Sequence, residues 1–379
     1  IATSVNNTTL DLSGAVLTTT GHIDAPVLAF TGKDNLVNGG KIINLETTDP
    51  AAVQYNAAIW FFGSGNLARR VSAMGAYYVA FVSSNVTGGQ SADYNAFEDC
   101  YSEGVFNRGF YAYGNAIGTI FFRCRANGNK FATYTAAGGS GGLTAKTSYG
   151  FNVNRSITSF TLSKMMIVNC RAENFTAHGI LVGGDDALVA NCQIYNGVGT
   201  TYGLVAREIT NARPTNITLS NVNINGVTTG FHIIQCDDVT MIGIQTTNTT
   251  SVAGQFFGVK NVTISACISE KGVSGDGDGL QWIDGPANGT VSARPNSNHT
   301  INGFISRDWG SSRVPFRFYG TTNRITGYGM MCEGAQYTLI SEATTNRIYC
   351  EGDFKYNAAG SAPITSGATD VTFVARLTQ

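Results

Sequence analysis

The feature that most narrows what this chain can become is the stretch from Cys170 to Cys192, Cys-Arg-Ala-Glu-Asn-Phe-Thr-Ala-His-Gly-Ile-Leu-Val-Gly-Gly-Asp-Asp-Ala-Leu-Val-Ala-Asn-Cys. It begins and ends on an Asn-Cys pair. Between them lie a small apolar strand, a polar turn, a Gly-led apolar strand and an Asp/Gly turn, after which the first strand returns. The unit recurs. Cysteines fall at 100, 124, 170, 192, 236 and 267, with first intervals of 24, 46, 22 and 44 residues. Asp99-Cys100, Arg123-Cys124, Asn169-Cys170, Asn191-Cys192, Asn221-Val222 and Ala266-Cys267 occupy one phase, which we place in the first strand of each unit. Val222 in this phase shows that the position takes a small apolar side chain. The cysteines therefore read as a buried stack of thiols. Zinc would need Cys/His pairs two to four apart, which the sequence lacks.

The second strand of each unit follows a glycine: Gly109-Phe-Tyr-Ala, Gly150-Phe-Asn-Val, Gly179-Ile-Leu-Val, Gly203-Leu-Val-Ala, Gly230-Phe-His-Ile and Gly279-Leu-Gln-Trp. Their intervals are 41, 29, 24 and 27 residues, then 49 across two units. Periods of this length denote a solenoid whose units bury their apolar faces only by stacking. Strand-like units without helical periodicity make it an all-β, single-stranded parallel β-helix. The solenoid is expected over 1–355, with irregular first coils over 1–95 and regular coils over 96–355. Residues 356–379 are expected to form a cap or closing strand.

Composition agrees. Charged residues are 13% of the 379, about half the usual share, which disfavours long solvated helices. Glycine is abundant at 46 residues, as many short strands joined by tight turns require. The net charge of −1 and the lack of a basic patch argue against a nucleic-acid partner. No apolar run reaches the length that would insert in a membrane.

These repeats resemble the pectate-lyase-like right-handed β-helix group. The opening Leu10-Asp-Leu-Ser-Gly-Ala and Leu28-Ala-Phe-Thr-Gly-Lys-Asp-Asn are similar to the first coils of bacteriophage tailspikes. That resemblance implies a homotrimer on the virion tail that grips bacterial capsular or O-antigen polysaccharide and often cuts it. It also implies a particle-binding part preceding Ile1. Polygalacturonases of this fold carry Asn-x-Asp, Asp-Asp and Gly-His-Gly motifs. Ala177-His178-Gly179 resembles the last of these and Asp278-Gly279 loosely resembles the first. Asp185-Asp186 and Asp237-Asp238 are out of phase with the middle one and fall on the turn where other units place Asn.

Strand side chains alternate. With Phe110, Phe151, Ile180, Leu204, Phe231 and Leu280 inward, the next residues form an outward column: Tyr111, Asn152, Leu181, Val205, His232 and Gln281, with Arg317 extending it. Arg108, Tyr149, His178, Tyr202 and Asp278 precede the glycines; Arg155, Arg207 and Glu208 follow the strands. Rings that stack on sugars and planar groups that bond hydroxyls make this an open glycan groove, lined by Arg108, Tyr111, Tyr149, Asn152, Arg155, Tyr202, Arg207, His232, Gln281 and Arg317.

Glycoside hydrolysis needs two carboxyl groups flanking the scissile bond. Asp276 and Asp278 are the expected acid/base pair. Glu208 is a further candidate about three coils away, roughly 14 Å at one strand spacing per coil. A lyase would instead use His178 or His232 as base, with Arg207, Arg155 or Arg317 stabilising the developing charge. A third reading is a spike that binds glycan without altering it. None of the three calls for a cofactor or metal.

Overall fold

The computed structural model describes all residues except 21–22, 46–55, 76, 86–90, 129–148, 155–160, 208–212, 272–277, 286–293, 308–315, 320–323, 336–338, 342–346, 357–363, 367–369 and 379. Two compact units divide the chain, Ile1–Thr201 and Tyr202–Gln379. Each is a parallel β-helix. Among the described residues there is no helix, and all the strand pairings are parallel.

A coil contributes one strand to a first sheet, then two short strands flanking a corner to a second sheet. In the first unit the first sheet runs through Ala57–Phe61, Val79–Asn85, Arg108–Gly114, Tyr149–Asn154 and His178–Val182. In the second unit it runs through Tyr202–Arg207, Thr229–Ile234, Val252–Phe257, Leu280–Ile283 and Phe316–Phe318. Strand Val252–Phe257 fills the double interval in the glycine series. It was illegible because its glycine, Gly254, sits one residue later in the pattern; a Cβ there would lie 2.0 Å from the Phe231 ring. Gly150 has a comparable reason, since a Cβ would approach the Ala172 methyl to 2.6 Å where the two sheets meet.

The cysteine phase lies at the corner rather than inside the first strand, which corrects the sequence reading. Ala96–Glu98, Ile120–Phe122, Met166–Val168 and Leu188–Ala190 each end just before one left-handed residue: Asp99, Arg123, Asn169 and Asn191 have φ of 52–56°. Asn and Asp tolerate that conformation better than most side chains. The turn aims the following residue inward, so Cys100, Cys124, Cys170 and Cys192 are buried free thiols. Cys124, Cys170 and Cys192 each donate to a carbonyl of the preceding coil, Phe97, Phe121 and Ile167, at 3.2–3.3 Å. In the second unit Asn221, Gly243 and Ala266 make the same turn before Val222, Ile244 and Cys267. Burial pushes the Cys124 thiol well up and Cys267 to about 11, so both are unreactive at neutral pH. Among the described residues no group of three or more His, Cys, Asp or Glu is placed to hold a metal ion.

Stacking fixes the core. Phe110 lies 4.8 Å from both Phe81 and Phe151 with nearly parallel rings, matching the strand spacing. Phe97 and Phe121 meet Phe110 edge-on. The second unit stacks Phe256, Trp282 and Phe318. Polar ladders hold the corners. Asn35, Asn66 and Asn95 are almost wholly buried, and the Asn66 and Asn95 Oδ1 atoms accept the Asn35 and Asn66 backbone N–H groups at 3.0 and 2.8 Å.

Candidate functional site

Phe110, Phe151, Ile180, Leu204, Phe231 and Leu280 all face inward and are buried, so the alternation placed the outward residues on the correct side. The expected open groove needs correction. Tyr111, Asn152, Leu181, Val205 and Gln281 are buried, Asn152 at 1% exposure. Lateral packing encloses part of the column: Tyr111 stacks on Tyr113 at 4.3 Å and lies under the Arg108 guanidinium. Arg108, Tyr149, His178, Tyr202, Arg207, His232 and Arg317 are half-buried and make up its accessible part.

In the first unit Arg108, Tyr149 and His178 align in register along one edge. Tyr149 meets His178 edge-on at 5.1 Å. Tyr111 aligns with Asn152 and Leu181. Burial raises the Tyr111 phenol above its ordinary value, so it is a neutral donor at physiological pH.

In the second unit Val205, His232, Gln255, Gln281 and Arg317 form one register column. Gln255 was missed with its strand. The column is hydrogen-bonded: the Gln255 Nε2 donates to the Gln281 Oε1 at 2.8 Å, and the Gln281 Nε2 donates to the Asp278 Oδ2 at 2.9 Å. Arg317 Nη1 lies 3.2 Å from the same Asp278 oxygen and donates to the Tyr319 hydroxyl at 2.6 Å. Asp278 is therefore a buried carboxylate, 3% exposed, fixed by two donors at the head of strand Leu280–Ile283. Tyr202 stacks over His232 at 4.9 Å, with Phe257 edge-on on the His232 ring at 4.8 Å. Arg207 closes its strand, aligned with Ile234.

The structure thus gathers Asp278, Gln281 and Arg317, with His232 two coils before Gln281 and Tyr202 stacked on it. Asp276, Glu208 and Arg155 lie outside the described residues. Asp186 and Asp238 take the left-handed turn conformation, φ 52° and 55°, as do Asn216, Asn261 and Asn298. Asp238 accepts from Asn261 at 2.9 Å on the exposed exterior. Asp237 is ion-paired with Arg294. Asp185 and Asp186 lie between strands, as their spacing indicated, whereas Asp237 and Asp238 open strand Asp237–Ile242, which corrects the turn expectation for that pair.

No family model matches this chain, and no curated protein does. Solved structures do. The A-module of the Azotobacter vinelandii mannuronan C-5 epimerase AlgE6 is 13% identical over 98% of this chain and 91% of its own, with a TM-score of 0.65. The A-module of the Azotobacter vinelandii mannuronan C-5 epimerase AlgE4 is 12% identical over 92% of this chain and 91% of its own, with a TM-score of 0.57. The periplasmic alginate epimerase AlgG is 9% identical over 98% of this chain and 85% of its own, with a TM-score of 0.53. At such identities the likeness concerns architecture, and it agrees with the coil geometry: this is a parallel β-helix.

Proposed function

We propose that the chain is an enzyme acting on a polysaccharide, with its reacting centre at Asp278 and its sugar-holding surface along His232, Gln255, Gln281 and Arg317. The observation that supports this most is Asp278 itself. A buried carboxylate is costly unless paired. This one sits at a strand head beside an outward column, two of whose polar members, Gln281 and Arg317, reach it. Held by Gln281 and Arg317, it is suited to accept a proton or to stabilise positive charge on a sugar ring, without reorganising during the reaction.

In the hydrolytic form of the proposal Asp276 supplies the second carboxyl group. It protonates the departing glycosidic oxygen while Asp278 serves as base or nucleophile. A second form is favoured by the Tyr202–His232 stack on the same face and by the fold of enzymes titled mannuronan C-5 epimerases. There a ring group removes the proton next to a uronate carboxylate, whose developing charge Arg317 or Arg207 offsets. In nature the substrate of this proposal is a bacterial surface polysaccharide, met by a homotrimeric spike at a virion tail.

Incubation with bacterial capsular polysaccharides separates these forms. New reducing ends without ultraviolet absorbance support hydrolysis. Products absorbing at about 232 nm, the signature of a double bond conjugated to a carboxylate, support elimination. Altered uronate composition at unchanged length supports epimerisation. Unaltered polymer across a broad panel, with binding retained, overturns the enzyme reading in favour of a binding spike.

A further inference from the structure

We infer that the first unit holds a subsite for a carboxylate-bearing sugar, built around Arg108. Four other arginines of that unit are neutralised by acids: Arg69 and Arg123 by Glu98, and Arg125 and Arg171 by Glu173. Arg108 differs. Among the described residues its guanidinium is partnered by rings alone, 4.3 Å from the Tyr111 centroid, 5.4 Å from Tyr149 and 5.9 Å from Tyr78. Its Nε is buried and makes no hydrogen bond to the described residues. The rings stabilise the charge by cation–π attraction, but a ring face is no substitute for an oxygen acceptor in the plane of the fork. A buried donor left without an acceptor is destabilising, and a ligand oxygen would relieve that.

The shape of the unbonded Nε edge selects the ligand. Nε and the adjacent Nη form the planar fork that a carboxylate meets with two parallel hydrogen bonds. Around it the half-buried Tyr78 and Tyr149 present faces on which the C–H side of a pyranose can stack. Beside Tyr111 in the next coil, Asn152 keeps a buried Oδ1 without a hydrogen bond among the described residues, an acceptor for a sugar hydroxyl. A uronic acid residue supplies all of these complements at once: carboxylate, apolar ring face and hydroxyl. A neutral hexose lacks the first.

This subsite rests on the polysaccharide reading above and narrows it to acidic glycans. The test uses calorimetric titration of the whole chain, at a temperature where turnover is slow, with hexamers of mannuronate and galacturonate and with maltohexaose. The wild type is expected to bind at least one uronate hexamer about ten-fold or more tightly than maltohexaose, with a preference that shrinks as salt rises. Arg108→Gln is expected to abolish that preference while circular dichroism and melting stay unchanged. Arg108→Lys keeps the charge without the fork and is expected to recover only part of it. If Arg108→Gln fails to fold, the lysine variant carries the test. An undiminished preference in a folded Arg108 variant, or no preference in the wild type, overturns the inference. An Arg108-dependent preference with no polymer ever altered leaves the subsite standing and removes the enzyme reading. Altered polymer with an Arg108-independent preference does the reverse.

Discussion

Arg108 and Arg317 begin from the same circumstances and end differently. Each is half-buried on a first-sheet strand, Arg108 at the strand head and Arg317 in the outward column, and each has a tyrosine ring within 6 Å. Arg317 meets Asp278, and together with Gln281 it makes a closed polar network. Among the described residues Arg108 meets only rings. The closed network is preorganised, as a reacting group needs to be; the open fork is complementary to an anion that must come from outside. Register sets the difference. The Arg317 column carries a carboxylate at its strand head, whereas Tyr149 and His178 take the neighbouring positions of the Arg108 column.

Asp278→Asn gives the largest expected effect. It removes the charge that Arg317 faces and makes that site resemble Arg108. Turnover of the polysaccharide should fall by about 10²–10⁴-fold, the range for loss of an acid/base group, while glycan binding persists. Full activity in this variant would remove Asp278 from the reacting centre.

The face depends on the stacked interior beneath it, which lies one residue away on the same strands. Phe110→Ala removes a ring wedged between Phe81 and Phe151 and should cost roughly 3–5 kcal/mol in chemical denaturation. A loss under 1 kcal/mol would show that the coils hold by their backbone ladders alone.

The interior also contains a titrating group. His299 is wholly buried, accepts the Trp282 indole N–H on Nδ1 at 2.9 Å, and is bonded through Nε2 to the Val259 carbonyl at 3.0 Å. Burial lowers its pKa to about 4, partly opposed by the Val259 carbonyl. The unfolded chain takes up this proton near pH 6.5 and the folded chain only near pH 4. The contribution is therefore fully present above about pH 6.5 and is lost as pH falls to about 4. The linkage amounts to about 3 kcal/mol. Thermal melts across this window should show the loss in the wild type and a shallower slope in His299→Gln. Equal slopes would place the proton elsewhere.

Smallest of all is Asp186→Asn, at an exposed left-handed turn where Asn already serves at the same phase in other coils. Stability and activity should stay within about 0.5 kcal/mol of the wild type. A large loss of activity would return the Asp185-Asp186 pair to the chemistry.

Much of the architecture was legible in the residues. The recurrence of the cysteine phase and the Gly-led apolar strands carried the parallel β-helix, the direction of the core and the turn role of Asp186. Three features were not legible. The cysteine phase was read as a strand, because an Asn before a small apolar residue looks the same in a strand as at a left-handed corner. Strand Val252–Phe257 was passed over because Phe231 displaced its glycine from the expected position. The outward column was expected to be open, because alternation tells which way a side chain points but not what lies alongside it.

The sequence by itself determined the repeat, and with it the parallel β-helix and the sides on which Phe110 and Tyr111 lie. A period follows from local chemistry repeated: a glycine where sheets meet, a left-handed Asn at a corner, a small apolar residue after it. Only the tertiary structure decided that Asp278, Gln281 and Arg317 share one network and that Arg108 has rings for partners. The Asp278–Arg317 and Arg108–Tyr149 contacts depend on which residues the stacked coils set side by side, tens of positions apart in the chain, and no local pattern encodes that separation.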